Sequence, residues 1–299
     1  IELTINGGKL NCDVFGGGYG AADAKLSNTN TYTTLENMAR VYGKTEVTID
    51  KYTVINGSVY GGGDMTAVEN GTDDATVLTI GGNVVINGDV FASGNGRRYM
   101  ANPTSVADLN LYPRHPELVG FINGNARLTI SGNPRIYGDT YGGGAYGSNK
   151  GNTTVTVDGG YFYRNIYGGG QGDLATMTRA TIDGNATVTL SGAKAALDSK
   201  ETTSFIGGLH TVYGGGYMVA SVTGTASVNV TRGWAGSDIM ETPMWTNAYN
   251  PDENGEINPD RNFCVYGGGY GLDTSVGNTD ININIDIDED NVILASVGG

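Results

Sequence analysis

The stretch "NGSVYGGGDM", residues 56–65, contains the motif that decides the fold. In it an aromatic residue stands directly before three glycines, and the same arrangement returns along the chain as VFGGG, VYGGG, VFASG, TYGGG and IYGGG. The seven anchor aromatic residues are Phe15, Tyr60, Phe91, Tyr141, Tyr167, Tyr213 and Tyr266. The closest two, Tyr141 and Tyr167, are 26 positions apart. Recurrence of this kind is the signature of a repeat protein.

A second recurring element precedes the anchors and predicts a β-strand. It appears as ELTINGG from Glu2, EVTIDKY from Glu46, VLTIGGN from Val77, RLTISGN from Arg127, TVTVDGG from Thr154, TVTLSGA from Thr187 and SVNVTRG from Ser227. Apolar and polar residues alternate in each before a glycine or a polar turn, which is typical of a strand with one buried face. A third, weaker strand follows some anchors, as in RATIDGN from Arg179.

These elements predict the fold class and the domain organisation. Three short strands per repeat, separated by glycine-rich corners and without helical crossovers, predict an all-β parallel β-helix, a solenoid of about seven coils. A β-propeller blade needs roughly 40–50 residues, more than the shortest repeat supplies. We therefore expect one β-helix domain over residues 1–299, with long insertions at corners near 20–40, 96–120 and 232–261.

The triple glycines also resemble a phosphate-binding loop, but that interpretation fails. A P-loop needs a lysine and a serine or threonine after the glycines, and a helix whose N-terminus faces the phosphate. No lysine directly follows any of the motifs. The glycines are instead expected at corners, where the backbone turns with positive φ and lies close to the neighbouring coils.

The anchor aromatic residues are candidates for ligand binding. By strand alternation each lies opposite the valine or isoleucine that fills the core, so we expect the seven rings to form a row along one edge. The rings either stack on each other and shield the glycines, or present a strip for sugars or a partner surface. The insertion at 232–261 adds both tryptophans. The predicted binding residues are Tyr60, Tyr141, Tyr167, Tyr213, Tyr266, Trp234 and Trp245.

Composition and charge exclude several partners. The formal net charge is -14 and the pI is about 4.4, so the surface repels nucleic acid. No basic amphipathic stretch suggests a membrane surface, and the apolar runs are too short to span a bilayer, so no direct membrane insertion is expected. The chain opens on IELTING, and we expect a trimmed or mature form whose targeting segment is absent.

Metal and catalytic signals are sparse. The run Asp252, Asn254 and Asp260 is loosely similar to a calcium loop but lacks the flanking helices and closing glutamate, so a polar turn is the simpler interpretation. Calcium is thus the one candidate cofactor. Asp89 and Asp139 occupy equivalent positions before their anchors and are expected to lie near each other. They form either a solvated acidic face or a pair for acid–base chemistry.

Two residues test the predicted alternation of inward-facing and outward-facing side chains. Arg164 and His210 fall at positions that should face inward, and a bulge would redirect them. The two cysteines, Cys12 and Cys264, fall in the first and last repeats, too far apart for a disulfide.

The VTIxGG and VYGGG units together resemble glycine-rich parallel β-helix repeat proteins of bacterial cell surfaces, such as adhesins and autotransporter passengers. The resemblance covers essentially the whole chain and implies an extracellular or surface-anchored rod. It transfers no catalytic residue.

Three functions follow as expectations. The first is a surface-exposed, adhesin-like protein that binds carbohydrate or other extracellular partners. The second is a polysaccharide-active enzyme, a lyase or a glycoside hydrolase, and the third is a structural stalk. The lack of a recognisable catalytic set favours a protein that is not an enzyme.

Overall fold

The computed structural model describes residues 1–20, 39–96, 119–191, 194–195, 211–231, 264–284 and 296–298. Within these ranges the chain forms β-strands and turns and no helix, in agreement with the all-β pattern of the sequence. The predicted insertions near 20–40, 96–120 and 232–261 lie largely outside the described residues.

The strands, in chain order, are β1 (Glu2–Ile5), β2 (Gly8–Leu10), β3 (Val14–Phe15), β4 (Val41–Tyr42), β5 (Thr45–Ile49), β6 (Thr53–Ile55), β7 (Val59–Tyr60), β8 (Val68–Ile80), β9 (Val85–Ile86), β10 (Val90–Phe91), β11 (Ile122–Ile136), β12 (Thr140–Tyr141), β13 (Asn149–Lys150), β14 (Thr153–Phe162), β15 (Ile166–Tyr167), β16 (Ala180–Asp183), β17 (Ala186–Leu190), β18 (Lys194–Ala195), β19 (Thr211–Tyr213), β20 (Ala220–Val230), β21 (Cys264–Tyr266), β22 (Ser275–Ile283) and β23 (Ser296–Gly298).

The strands form two parallel sheets. The larger has 15 strands, and within it β11, β13, β16, β20, β17 and β14 pair in a circuit that closes when β14 returns to β11. This circuit is a closed six-stranded parallel barrel, and the other strands of the sheet extend it. The smaller sheet has eight strands in the order β23-β21-β19-β15-β12-β10-β7-β3, and the seven anchors lie in its strands.

The prediction of a solenoid with three short strands per coil is wrong. Segments expected as separate strands join into long ones, since β11 pairs with β13 near its start and with β14 from Ala126 onward. Glycines explain the joining. Gly124 in β11 and Gly159 in β14 have φ of +136° and +144°, which lets each strand bend at the expected corner and continue beyond it. Across Gly124 the partner of β11 changes from β13 to β14.

The smaller sheet contains one strand that the sequence pattern misses. The repeats pair in register, as Phe15 with Tyr60 and Tyr60 with Phe91. The eighth strand, β23, pairs with β21 and places Gly298 opposite Tyr266. A glycine at the anchor position removes the aromatic signal that defines the other repeats.

The two faces of the smaller sheet belong to different apolar clusters. The residue before six of the seven anchors, such as Val59, Val90 or Ile166, packs into the main core with residues of the larger sheet, and Thr140 is the buried polar exception. The anchors pack in a second cluster with Ala145. Strand alternation therefore places the anchors opposite the main core, as predicted.

The triple glycines are required because the backbones of successive repeats lie in close contact, and not because the glycines have positive φ. Among the YGGG and FGGG motifs, all of which are described, no glycine has positive φ, which corrects the expectation from the sequence. A Cβ at Gly61 would overlap the carbonyl oxygen of Ala92 in the next repeat. At Gly62 it would lie 2.9 Å from Cα of Gly94 and 2.9 Å from Cδ1 of Ile122.

We expect Gly62→Val to lower the free energy of unfolding by about 1–3 kcal/mol, because the added side chain overpacks this contact. Gly268 is the matched control, since it is the second glycine of the last YGGG motif and a Cβ there meets no atom within 4 Å. Gly268→Val should cost less than about 0.5 kcal/mol. Equal losses in urea unfolding would contradict the close-contact explanation.

One repeat replaces this glycine and compensates for the change. Ser93 stands at the second glycine position, and its Oγ donates a buried 2.6 Å hydrogen bond to Oδ1 of Asn149. Asn149 pairs in register with Ile122 and Ile182, so it fills a position that is isoleucine in its neighbours. The serine and the asparagine are therefore a coupled pair.

Ser93→Gly should destabilise the protein by about 1–3 kcal/mol, because it leaves the buried Asn149 oxygen unpartnered. Adding Asn149→Ile restores the glycine–isoleucine contact of the neighbouring repeats and should recover most of the loss. A double-mutant cycle in denaturant measures the coupling. Additive effects of the two substitutions would show that the pair is independent.

Candidate functional site

The anchors form a continuous stack of parallel rings along the outer face of the smaller sheet. We call the seven residues Phe15, Tyr60, Phe91, Tyr141, Tyr167, Tyr213 and Tyr266 the aromatic stack. The centroids of successive rings are 4.7–5.0 Å apart up to Tyr213 and 5.6 Å apart at the last pair. The planes of successive rings differ by 2° to 18°. The predicted row of aromatic residues therefore exists.

Burial places most of the stack below the surface. Tyr141 and Tyr167 are fully buried, Tyr60 and Tyr213 are each 8% exposed, and Tyr266 is partly buried. The two faces of each interior ring are covered by its neighbours. Burial also raises the pKa of Tyr213 to about 12, so its hydroxyl stays protonated. The five predicted tyrosines come together, but the interior ones offer no ring face to a ligand.

The other predicted site residues cannot be placed. Trp234, Trp245, Asp252, Asn254 and Asp260 lie outside the described residues. Across the described ranges, no group of three or more histidine, cysteine, aspartate or glutamate residues is arranged to hold a metal ion.

A row of polar residues two positions before the anchors borders one side of the stack. We call Asp13, Ser58, Asp89, Asp139 and Asn165 the acidic strip. The backbone N–H of each member donates to the side chain of the member before it, over distances of 2.7–3.0 Å. The predicted proximity of Asp89 and Asp139 is therefore correct. Their Oδ1 atoms accept amide hydrogen bonds from the following repeat, which gives these carboxylates a structural role.

Burial changes the protonation of this strip. It raises the pKa of Asp139 to about 6, with a smaller contribution from the charge of Asp89, and it also raises the pKa of Asp89. The guanidinium of Arg164 acts in the opposite direction on both groups. Arg164 is exposed, so strand alternation alone is wrong at this position and the side chain points outward, as the alternative of a redirected side chain predicts. His210 lies outside the described residues.

A second row of residues borders the other side of the stack and was missed by sequence reasoning. It consists of the residue that follows each anchor motif, and each pairs in parallel with its counterpart in the next repeat. We call Tyr19, Asp64, Asn95, Ala145, Gln171, Tyr217 and Tyr270 the outer strip. The residue type changes from repeat to repeat, so only the distance of four positions from the anchor could have revealed it.

The outer strip exposes aromatic rings near its two ends and polar groups between them. Tyr19 is 66% exposed and Tyr270 is 49% exposed. Tyr270 stacks on Tyr217 with centroids 5.8 Å apart and planes 12° apart. In the middle, Nδ2 of Asn95 donates a 2.8 Å hydrogen bond to Oδ1 of Asp64. These side chains can stack on a flat ligand and exchange hydrogen bonds with it.

The outer face as a whole is acidic. From two positions before each anchor to four positions after it, the seven segments contain no lysine or arginine. The same segments contain four carboxylates: Asp13, Asp64, Asp89 and Asp139. Arg164 lies just outside them. The face therefore has a negative potential of its own, beyond the net charge of the chain.

Comparison with known proteins gives no match: the chain matches no protein-family model, no curated protein and no solved structure. Within the described ranges, no helix is long and apolar enough to cross a membrane. The function must therefore be argued from the outer face itself.

Asp139→Asn tests the electrostatics of this face. Between pH 4 and 6 the folded protein keeps a proton on Asp139 that the unfolded chain has lost, so the contribution of Asp139 to stability falls as pH rises through this window. Asparagine keeps an acceptor oxygen and has no charge. The variant should therefore gain on the order of 1 kcal/mol over the wild type above pH 6.

Urea unfolding of both proteins from pH 4 to pH 8 measures this gain. Asp13→Asn is the matched control, since Asp13 accepts the equivalent amide hydrogen bond but is exposed. A stability difference between Asp139→Asn and the wild type that does not change with pH would contradict the prediction.

Proposed function

We propose that this protein is an extracellular, adhesin-like binding protein that recognises a glycan or another extracellular ligand through the outer strip. One observation carries the proposal: a row of paired positions exposes Tyr19 and Tyr270 at its two ends and holds the partly exposed Asp64, Asn95 and Gln171 between them.

The chemistry of the strip suits carbohydrate. A sugar ring has a flat apolar face that packs on an exposed tyrosine, and it has hydroxyls that need directed hydrogen bonds. Amide and carboxylate side chains supply both donors and acceptors. A few polar groups beside aromatic rings are the usual composition of a binding site for small rings.

The extracellular location belongs to the same proposal. It is supported by the resemblance of the VYGGG repeats to bacterial surface proteins and by the acidity of the chain, which disfavours nucleic acid as a partner. The same framework of parallel strands would also serve as a structural stalk. In that case the outer strip would bind no ligand.

The enzyme alternative rests on a different observation, the Asp89–Asp139 pair. Two carboxylates of neighbouring repeats lie close together, and the pKa of Asp139, at about 6, suits a general acid. Release of reducing ends from a polysaccharide, abolished by both Asp89→Asn and Asp139→Asn, would favour this alternative. Binding without turnover would favour the adhesin-like function.

The combined variant Tyr19→Ala/Tyr270→Ala should lose about tenfold or more in affinity for the ligands that the wild type retains on a glycan array or on matrix proteins, because each ring supplies roughly 0.5–1.5 kcal/mol of stacking. Tyr52→Ala is the matched control. Tyr52 is 77% exposed but lies outside the outer strip, so its loss should leave binding unchanged.

Circular dichroism should show the same thermal unfolding for Tyr52→Ala and the wild type, and a small loss of stability for the double variant, because Tyr270 also stacks on Tyr217. Binding is therefore compared at a temperature at which all three proteins are folded. If the wild type binds neither glycans nor matrix proteins, the proposal fails and the stalk remains. If Tyr52→Ala weakens binding as much as the double variant, the outer strip is not the site.

A further inference from the structure

We infer that the ligand of the outer strip is an extended polysaccharide that carries positively charged amino groups and lies along the row of repeats. This inference rests on the proposed function and narrows it to one class of ligand, the amino-sugar polymers. Three properties of the outer face support it: its period, its charge and the solvation of its carboxylates.

The period of the outer strip favours a polymer. Its seven positions follow one another through parallel bridges, one for each repeat. Adjacent strands are about 4.8 Å apart, so Tyr19 and Tyr270 are separated by roughly 29 Å. One sugar ring reaches at most one end of this row. Only a chain of several sugars contacts both exposed tyrosines and the amides between them.

The negative charge of the outer face favours a polysaccharide with ammonium groups over neutral or anionic polysaccharides. The outer face has four carboxylates and no lysine or arginine in the segments that form it, within a chain of net charge -14. Arg164, just outside these segments, acts on Asp89 and Asp139, so Asp64 is the carboxylate of the outer strip that is left for a cationic ligand. Polymers of uronic acids or sulfated sugars meet a repulsive potential there, and a polymer with ammonium groups is attracted. A neutral polymer gains nothing from the charge.

The solvation of Asp64 adds to this preference. Burial raises the pKa of Asp64, because its carboxylate is partly removed from water. Asn95 donates one hydrogen bond to Oδ1 of this carboxylate. An ammonium group beside Asp64 would replace the lost solvation with a charge-assisted hydrogen bond.

The tyrosines favour the same ligand class over a basic peptide. Tyr19 and Tyr270 expose ring faces that attract cations as well as the apolar faces of sugars. A sugar amine satisfies both preferences in one rigid ring. A lysine side chain presents its charge on a flexible stem and must lose more rotamer freedom for the same contact.

The experiment compares two series of oligomers that share one sugar backbone and differ in whether the nitrogen is a charged amine or a neutral acetamide. Calorimetric titration of the whole protein uses glucosamine oligomers of two to eight units and N-acetylglucosamine oligomers of the same lengths. Polygalacturonate and polylysine are the anionic and peptide probes. We expect the longer glucosamine oligomers to bind about tenfold tighter than their N-acetylated counterparts and to weaken with salt. Affinity should rise with length.

Asp64→Asn locates the effect. It should reduce the affinity for glucosamine oligomers about fivefold to tenfold and leave N-acetylglucosamine oligomers unaffected. Asp73→Asn is the matched control, because it removes the same charge from an exposed residue outside the outer face. Equal losses in the two variants would show that net charge alone is responsible and would overturn the inference.

The remaining outcomes separate this inference from the proposed function. Equal or tighter binding of N-acetylated oligomers, polygalacturonate or polylysine overturns the amino-sugar assignment. If any such binding requires Tyr19 and Tyr270, the proposed function survives. If no probe, glycan or matrix protein binds in a way that depends on these tyrosines, the inference and the proposed function fail together.

Discussion

The close approach of the glycine backbones of successive repeats is the constraint on which the structure depends. At Gly61 and Gly168 the next repeat lies so near that a Cβ would overlap its carbonyl oxygen. This contact brings the anchor rings to stacking distance and places each acidic-strip side chain within reach of the next amide. A side chain at these glycines would separate the repeats and loosen both rows. The framework therefore depends on residues without a side chain at these glycine positions.

The polar side chains near the glycines form hydrogen bonds that all run in the same direction, from the backbone N–H of one repeat to the side chain of the repeat before it. In the acidic strip each side chain accepts the amide of the following repeat. Asn125 of β11 and two asparagines in turns between strands of the larger sheet, Asn152 and Asn185, accept amides in the same way. Carboxylate, amide and hydroxyl oxygens all serve, because the amide requires only an acceptor. This tolerance explains why aspartate, serine and asparagine occupy one structural position. It also shows why a row of carboxylates need not indicate catalysis.

Much of the framework could be predicted from the sequence. The alternation in EVTIDKY and its relatives predicts strands, and the recurrence of YGGG predicts a row of aromatic residues opposite the core. The joining of strands could not be predicted, since a glycine that bends a strand, such as Gly124, looks the same as one that ends it. The outer strip escaped notice because its residues differ between repeats, and β23 because Gly298 replaces the aromatic residue.

The outer strip and the aromatic stack differ in how much their residues vary from repeat to repeat. At the anchor position the chain keeps an aromatic ring in all seven repeats, while four positions later it accepts tyrosine, aspartate, asparagine, alanine or glutamine. A substitution at the most exposed position, Tyr19, alters the surface alone, whereas Ala145 and Tyr217 also pack against the aromatic stack. Because each repeat adds one anchor and one outer-strip residue, duplication of a single repeat would lengthen the buried row and the outer row together.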